Sequence, residues 1–204
     1  MYKIGITGSI GAGKTTIANM FAIFNIPIFD ADHEIKTILT KKEVRKKLKK
    51  IWPLIVKKDN IDKLKLREII FSNIGEKKRL ERLLYPYLEI ELEKFETTNY
   101  KENILVYDVP LIYETKTEEK YDMILLAHCN KIIQKKRVLD RDKISSTLFE
   151  KIVASQLSFN EKIKFRPQVI NTTNKLSILI KVFLLLTKIF VELRLKNEKK
   201  KINT

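Results

Sequence analysis

The sequence predicts an α/β fold in three layers, a parallel sheet between helices, with a helical excursion. Three observations carry that prediction. A strand, a glycine loop and a helix follow one another between Lys3 and Phe24, and short apolar runs recur between helical stretches further on. The stretch from residue 35 to 100 is helical and longer than an ordinary crossover. With 204 residues, 44% of them hydrophobic and 32% charged, the chain can bury its own core and is neither fibrous nor disordered in composition.

Lys3 to Thr7, KIGIT, reads as a buried strand, and GSIGAGKT from Gly8 to Thr15 completes the spacing G-x-x-x-x-G-K-T. Four of the five glycines, Gly5, Gly8, Gly11 and Gly13, lie in this opening segment, so the backbone freedom of the chain is concentrated there. Successive N–H groups of residues 9–15 can wrap a phosphate, and the positive end of the next helix faces the same anion. Gly11, Ala12, Gly13, Lys14, Thr15 and Thr16 are therefore the expected nucleotide contacts. Lys14 would reach the β- and γ-phosphates and the Thr15 hydroxyl would ligate Mg²⁺. Ile17, Met20, Phe21 and Phe24 then share one side of a helix. The absence of G-x-G-x-x-G after the strand argues against a dinucleotide fold.

Asn25 to Asp32, NIPIFDAD, reads as a second strand whose Asp30 and Asp32 alternate to one side at its carboxyl end. Glu34 to about Tyr100 reads as lysine-rich helix without a strand, broken at Ile51-Trp52-Pro53 and interrupted at Tyr85-Pro86. Residues 41–50 hold seven Lys or Arg and one Glu, the pattern of a solvated helix face or of one turned to an anion. Ile104 to Tyr107, ending at Asp108, and Met123 to Ala127 read as buried parallel strands. Asn130 to Gln156 reads as helical, and Val169-Ile170 as a last short strand.

Leu176, Leu179, Phe183, Leu186, Phe190 and Leu193 recur at helical spacing and predict a terminal helix docked on the sheet, with interfacial lipid contact as the alternative. Lys181 and Lys188 keep its apolar runs far below the roughly 20 residues of a membrane span. The final KNEKKKINT reads as a frayed tail.

The formal net charge of +16 suits an anionic partner, whether nucleic acid, polyphosphate nucleotide or acidic membrane. No helix-turn-helix or zinc pattern supports nucleic-acid readout, so no nucleic-acid partner is expected. The single cysteine, Cys129, excludes an internal disulfide and a cysteine-built zinc site and points to a reducing, cytoplasmic setting. The guanine signature N-K-x-D is absent: Ile133 and Ser177 stand at its fourth position after Asn130-Lys131 and Asn174-Lys175.

The phosphate loop, FDAD at Phe29 to Asp32, YDVPLIYE at Tyr107 to Glu114, and Gln134, Arg137 and Arg141 in Q-x-x-R-x-x-x-R spacing together resemble the dephospho-coenzyme A kinase family of P-loop nucleoside and nucleotide kinases. The resemblance runs from Ile4 to about Asn174. It implies a P-loop core over residues 1–34 and 101–204, a lid over about 131–155, and a helical acceptor-binding region over 35–100. It further implies transfer of the ATP γ-phosphate to the ribose 3′-hydroxyl of dephospho-CoA, the last step of coenzyme A synthesis, with ATP and Mg²⁺ as cofactors. Another P-loop nucleoside or nucleotide kinase is the alternative.

By resemblance, Asp32 lies at the acceptor hydroxyl, with Lys14, Arg137 and Arg141 completing the catalytic set. A carboxylate can orient a weakly nucleophilic hydroxyl and accept its proton, and arginine forks can neutralise a transferring phosphoryl group. Thr15 and Asp108 are the metal candidates, although Asp108 could equally make a structural hydrogen bond. Glu114 could serve packing, and Gln156 and Lys162 follow the lid at the family's spacing. The sequence departs from the family at Ser9, usually glycine, at Lys63, usually arginine, and at Tyr85, usually histidine. INTTNK blurs the usual Asn-x-Gly, so Asn171 and Asn174 are weak candidates for an adenine pocket. Oligomeric state is left open, a monomer being compatible.

Overall fold

The computed structural model describes residues 1–57 and 60–202. Its elements in chain order begin with β1 (Tyr2–Thr7), α1 (Lys14–Ala22), β2 (Ile28–Asp30), α2 (Ala31–Ile38) and α3 (Lys42–Ile51). A short hairpin, β3 (Val56–Lys57) and β4 (Asn60–Ile61), precedes α4 (Lys63–Ser72) and α5 (Ile74–Thr98). Then come β5 (Ile104–Asp108), β6 (Met123–His128), α6 (Lys131–Asp142), α7 (Ser146–Ala154), α8 (Phe159–Lys162), β7 (Gln168–Asn171) and α9 (Lys175–Ile202).

Five strands form a parallel sheet in the order β2-β5-β1-β6-β7. The register pairs Ile4 with Val106, Ile6 with Leu125 and Asp30 with Asp108. Strand alternation sorts the two faces. Ile4, Ile6, Ile104 and Val106 pack with Ile17 and Phe21 of α1 and with Val182 and Ile189 of α9. Phe29, Leu105 and Tyr107 point the other way, against Leu92 and Phe95 of α5. Helices thus cover both faces of a sheet in which β5 is buried along its whole length, and the expected three layers are present. Gly5 is required here, because a Cβ at this position would stand 2.7 Å from Ile112 Cδ1 and 2.9 Å from the Tyr121 ring.

The helical excursion has a core of its own, in which Ile38, Val44, Leu48, Ile55, Leu66 and Leu84 are buried together. Trp52 belongs to this core, and its Nε1 donates to Glu76 at 2.6 Å. In α3, Val44 and Leu48 are buried while Lys46, Lys47, Lys49 and Lys50 are exposed, which fits a solvated face and one turned to an anion alike.

Four expectations are corrected. The β3–β4 hairpin places two short strands where only helix was expected. The helix α5 runs through Pro86 without interruption, because its first half is anchored in the excursion core and its second half on the sheet. The helical stretch after Asn130 divides at Lys143, whose left-handed φ of 52° ends α6 before Ser145 caps α7. The tail reading fails as well, since α9 continues to Ile202, with Asn203 and Thr204 outside the described residues.

The excursion core is expected to respond to loss of volume. Leu48→Ala removes a side chain with no exposed surface and should cost about 2–5 kcal/mol, read as a lowered urea midpoint. A midpoint unchanged from wild type would show that α3 contributes nothing to the stability of the chain.

Candidate active site

The site lies at the carboxyl edge of the sheet, where β1, β2 and β5 end side by side. After Thr7 the chain enters the phosphate loop, and Gly13 with φ 96° turns it into α1. A Cβ at Gly13 would lie 2.6 Å from Thr172 Oγ1, so both the left-handed backbone and the close approach demand glycine. Gly11, with φ 74°, is pressed against Gln134 and Val138 of the lid in the same way.

Side chains from distant segments hold the loop. Thr172 Oγ1 donates to the Ala12 carbonyl at 2.6 Å, and Gln134 Nε2 donates to the Ile10 carbonyl at 2.7 Å. Gln156 Oε1 accepts from the Ser9 hydroxyl at 2.8 Å and from the Ile10 N–H at 3.0 Å. Ser9, a departure from the family pattern, thus gains a partner that glycine could not supply. A small core between α6 and α7, of Val138, Leu148, Phe149 and Ile152, also takes in Ile10 of the loop and Phe71 of α4.

Lys14 is buried, and its Nζ donates to the Gly8 carbonyl at 3.3 Å. Thr15 Oγ1 donates to Asp108 Oδ2 at 3.2 Å. Asp108 is 3% exposed, and burial pushes its carboxyl up to about 6, with Lys14 opposing the rise and Asp30 and Asp32 adding to it. Among the described residues no cluster of three or more His, Cys, Asp or Glu forms a metal cage. A hydroxyl and a desolvated carboxylate side by side nevertheless suit Mg²⁺, which takes few protein ligands and hard oxygen donors.

The structure corrects the placement of Asp32. The strand stops at Asp30, which caps α2 by accepting the His33 N–H at 2.9 Å, so Asp32 lies in the first helical turn. The two carboxylates do not alternate along a strand. They still address one region, since both act electrostatically on Asp108. The helix N-terminus favours the Asp32 charge, and its side chain stays exposed to a ligand.

Arg137 and Arg141, both on α6, have separate partners. Arg137 donates to Thr172 Oγ1 at 3.1 Å and to the Thr172 carbonyl at 2.9 Å, bracing the residue that braces Ala12. Arg141 grips Asp142 through Nε and Nη2 at 2.8 and 3.0 Å, and lies near enough to Asp32 to feel its charge. Burial pushes the Asp142 carboxyl up, but the Arg141 hydrogen bonds and the charges of Arg141, Arg67 and Lys36 outweigh it and hold the group below its ordinary range. Cations from α2, α4 and α6 therefore meet at one carboxylate.

Glu114 Oε1 accepts the Leu157 N–H at 2.9 Å and pairs at 3.0 Å with Lys162, which is 1% exposed. Burial lowers the Lys162 ammonium, and Glu114 opposes that shift. Lys63 opens α4 on the surface, while the half-buried Tyr85 is pushed by burial up to about 12 and stays a neutral phenol. Asn174 accepts the N–H groups of Leu176 and Ser177, a helix-capping role that occupies its carbonyl oxygen. Thr172 was not foreseen, and nothing in its local sequence sets it apart from Thr173.

A family model described as dephospho-CoA kinase matches residues 2–177. The dephospho-CoA kinase of Fusobacterium nucleatum is 34% identical over 185 residues, covering 87% of this chain and 93% of the relative. Among solved structures, TT1252 from Thermus thermophilus superposes with a TM-score of 0.79 at 26% identity, covering 92% of this chain and 96% of that one. The dephospho-CoA kinase from Campylobacter jejuni gives a TM-score of 0.63 at 27% identity over 91% of this chain and 97% of that one.

The raised Asp108 carboxyl makes stability depend on pH. In the folded state it titrates near 6 rather than at 3.8, so the protein loses stability as pH rises through that window. Below the window both folded and unfolded states are protonated and the penalty disappears. Asp108→Asn should therefore raise the thermal midpoint of the nucleotide-free protein at about pH 8 and change it little at about pH 4. Equal shifts at both pH values would identify some other group as the buried acid.

Proposed function

The chain belongs to the dephospho-CoA kinase family and transfers the γ-phosphate of ATP to dephospho-CoA, and from that premise we propose how its own residues divide the work. The observation that carries the proposal is the convergence of Lys14, Thr15, Asp108 and Asp32 at one edge of the sheet. The phosphate loop, from Gly11 to Thr16, binds the ATP phosphates through its backbone N–H groups and the α1 N-terminus. Lys14, already confined by burial and by the Gly8 carbonyl, turns its ammonium to the β- and γ-phosphates.

Thr15 and Asp108 would hold Mg²⁺, which supplies charge neutralisation across the phosphates when bound. Asp32 orients the ribose 3′-hydroxyl and takes its proton as the new bond from that oxygen to the γ-phosphorus forms and the bond from the γ-phosphorus to the bridging oxygen breaks, with ADP leaving. The helical region 35–100 receives the acceptor, and α6 with α7 closes over the phosphates. Arg141 exchanges Asp142 for a phosphate of the bound substrates, while Arg137 acts through Thr172 on loop shape. The geometry of these two arginines supports unequal roles, one toward the transferring group and one toward the loop.

Among the described residues no helix is long and apolar enough to cross a membrane. We place the reaction in the cytoplasm, on the reducing setting that the lone Cys129 suits.

Purified protein is expected to phosphorylate dephospho-CoA in preference to adenosine, AMP, CMP and shikimate, with product formation followed by coupled ADP release. Lys14→Ala should lower kcat by about 100-fold or more with the fold retained by circular dichroism. Turnover within threefold of wild type would remove Lys14 from the reaction. Asp32→Asn keeps the side-chain shape without the charge, and should lower kcat steeply while ATP affinity by titration calorimetry stays close to wild type. Near-normal turnover would eliminate Asp32 as base or essential orienter.

A further inference from the structure

The helix α9 is apolar on two sides, and the sheet covers only one. Ile178, Val182, Leu185, Leu186 and Ile189 are buried against β-strands and α1. Helical spacing alone puts Leu176, Phe183 and Phe190 on the docked side. In the structure these three turn outward with Ile180, Leu184 and Val191, and the six are between 45% and 64% exposed. The docked face is rotated because both stripes repeat at helical spacing and periodicity alone cannot choose between them.

The outward stripe runs for about 22 Å along the helix without a charged residue between its members on that side. Folded monomers rarely leave a continuous apolar surface of this kind to water. Lys181 and Lys188 stand along its edge, exposed. Over its length α9 carries eight Lys or Arg against two Glu, and the whole chain has a net charge of +16. Glu192 and Glu198 are each paired within the helix, with Lys188 and Arg194.

That charge selects the occupant. A second copy would bring an equally basic helix against this one, whereas an anionic lipid surface complements both the apolar stripe and its lysine edge. We propose that α9 docks the enzyme on anionic membrane surfaces, lying in the interface with Phe183, Leu184 and Phe190 among the acyl chains and Lys181 and Lys188 at the headgroups. The helix lies on the membrane and does not span it. The inference is independent of the kinase chemistry, since none of these residues belongs to the phosphate loop, the acceptor region or the lid.

Co-sedimentation with lipid vesicles tests it. Wild-type protein should bind vesicles of phosphatidylglycerol with phosphatidylcholine at least about tenfold more strongly than phosphatidylcholine alone, with the difference shrinking as salt rises. Ile180→Ser, Leu184→Ser and Val191→Ser together should abolish that binding and leave dephospho-CoA kinase turnover unchanged. Should the triple variant fail to fold, Lys181→Gln with Lys188→Gln leaves the apolar stripe intact and should weaken anionic-vesicle binding severalfold. Absent binding, or equal binding to the two vesicle types, overturns the proposal. A wild-type mass of two chains by light scattering that falls to one in the triple variant also overturns it, by assigning the stripe to a second copy.

Discussion

The hydroxyl of Thr172, held between the Ala12 carbonyl and the Arg137 guanidinium, is the contact on which the geometry of the site depends. A phosphate-binding loop turns backbone donors inward, and here a single internal turn bond, from the Ala12 N–H to the Ser9 carbonyl at 3.0 Å, is too little to hold that conformation. Its outward carbonyls have to be satisfied from elsewhere. Here Gln134 takes the Ile10 carbonyl and Thr172 takes that of Ala12, while Gln156 accepts the Ile10 N–H. Gly13 exists in the form it does because Thr172 leaves no room for a side chain. Loop, lid and last strand are therefore one mechanical unit.

At Asp108 burial outweighs the neighbouring charges, whereas at Asp142 the charges outweigh burial. Asp108 is desolvated and has Asp30 and Asp32 as like-charged neighbours, and Lys14 compensates only partly. Such a group is costly to a nucleotide-free protein and well suited to a cation. At the lid the imbalance has the opposite sign, because Arg141, Arg67 and Lys36 surround a single Asp142. Negative charge thus gathers around Asp108 and positive charge around Asp142.

The excursion and the lid are coupled by packing as well as by charge. Phe71 of α4 enters the lid core, Arg67 of the same helix stands 3.7 Å from Asp142, and α5 joins the excursion core to the sheet. Displacing the excursion by an ångström would therefore be felt at Asp142 and Arg141. Close-packed interiors transmit such shifts because they have no slack volume to absorb them.

The sequence alone determined the phosphate loop, the parallel α/β fold and the family, because these depend on residues contiguous in the chain or on periodicities that survive without neighbours. Glycine spacing states a backbone conformation directly, and apolar runs state burial. Tertiary structure alone decided the rest. It moved Asp32 from a strand to a helix turn, since the end of β2 is set by pairing with β5 and by the Asp30 cap. It selected Thr172 over Thr173, gave Arg137 and Arg141 different partners, and carried α5 through Pro86. It also chose which apolar side of α9 meets the sheet. In each case the local sequence permitted more than one arrangement, and the deciding partner lay far away along the chain, where no short-range pattern records it.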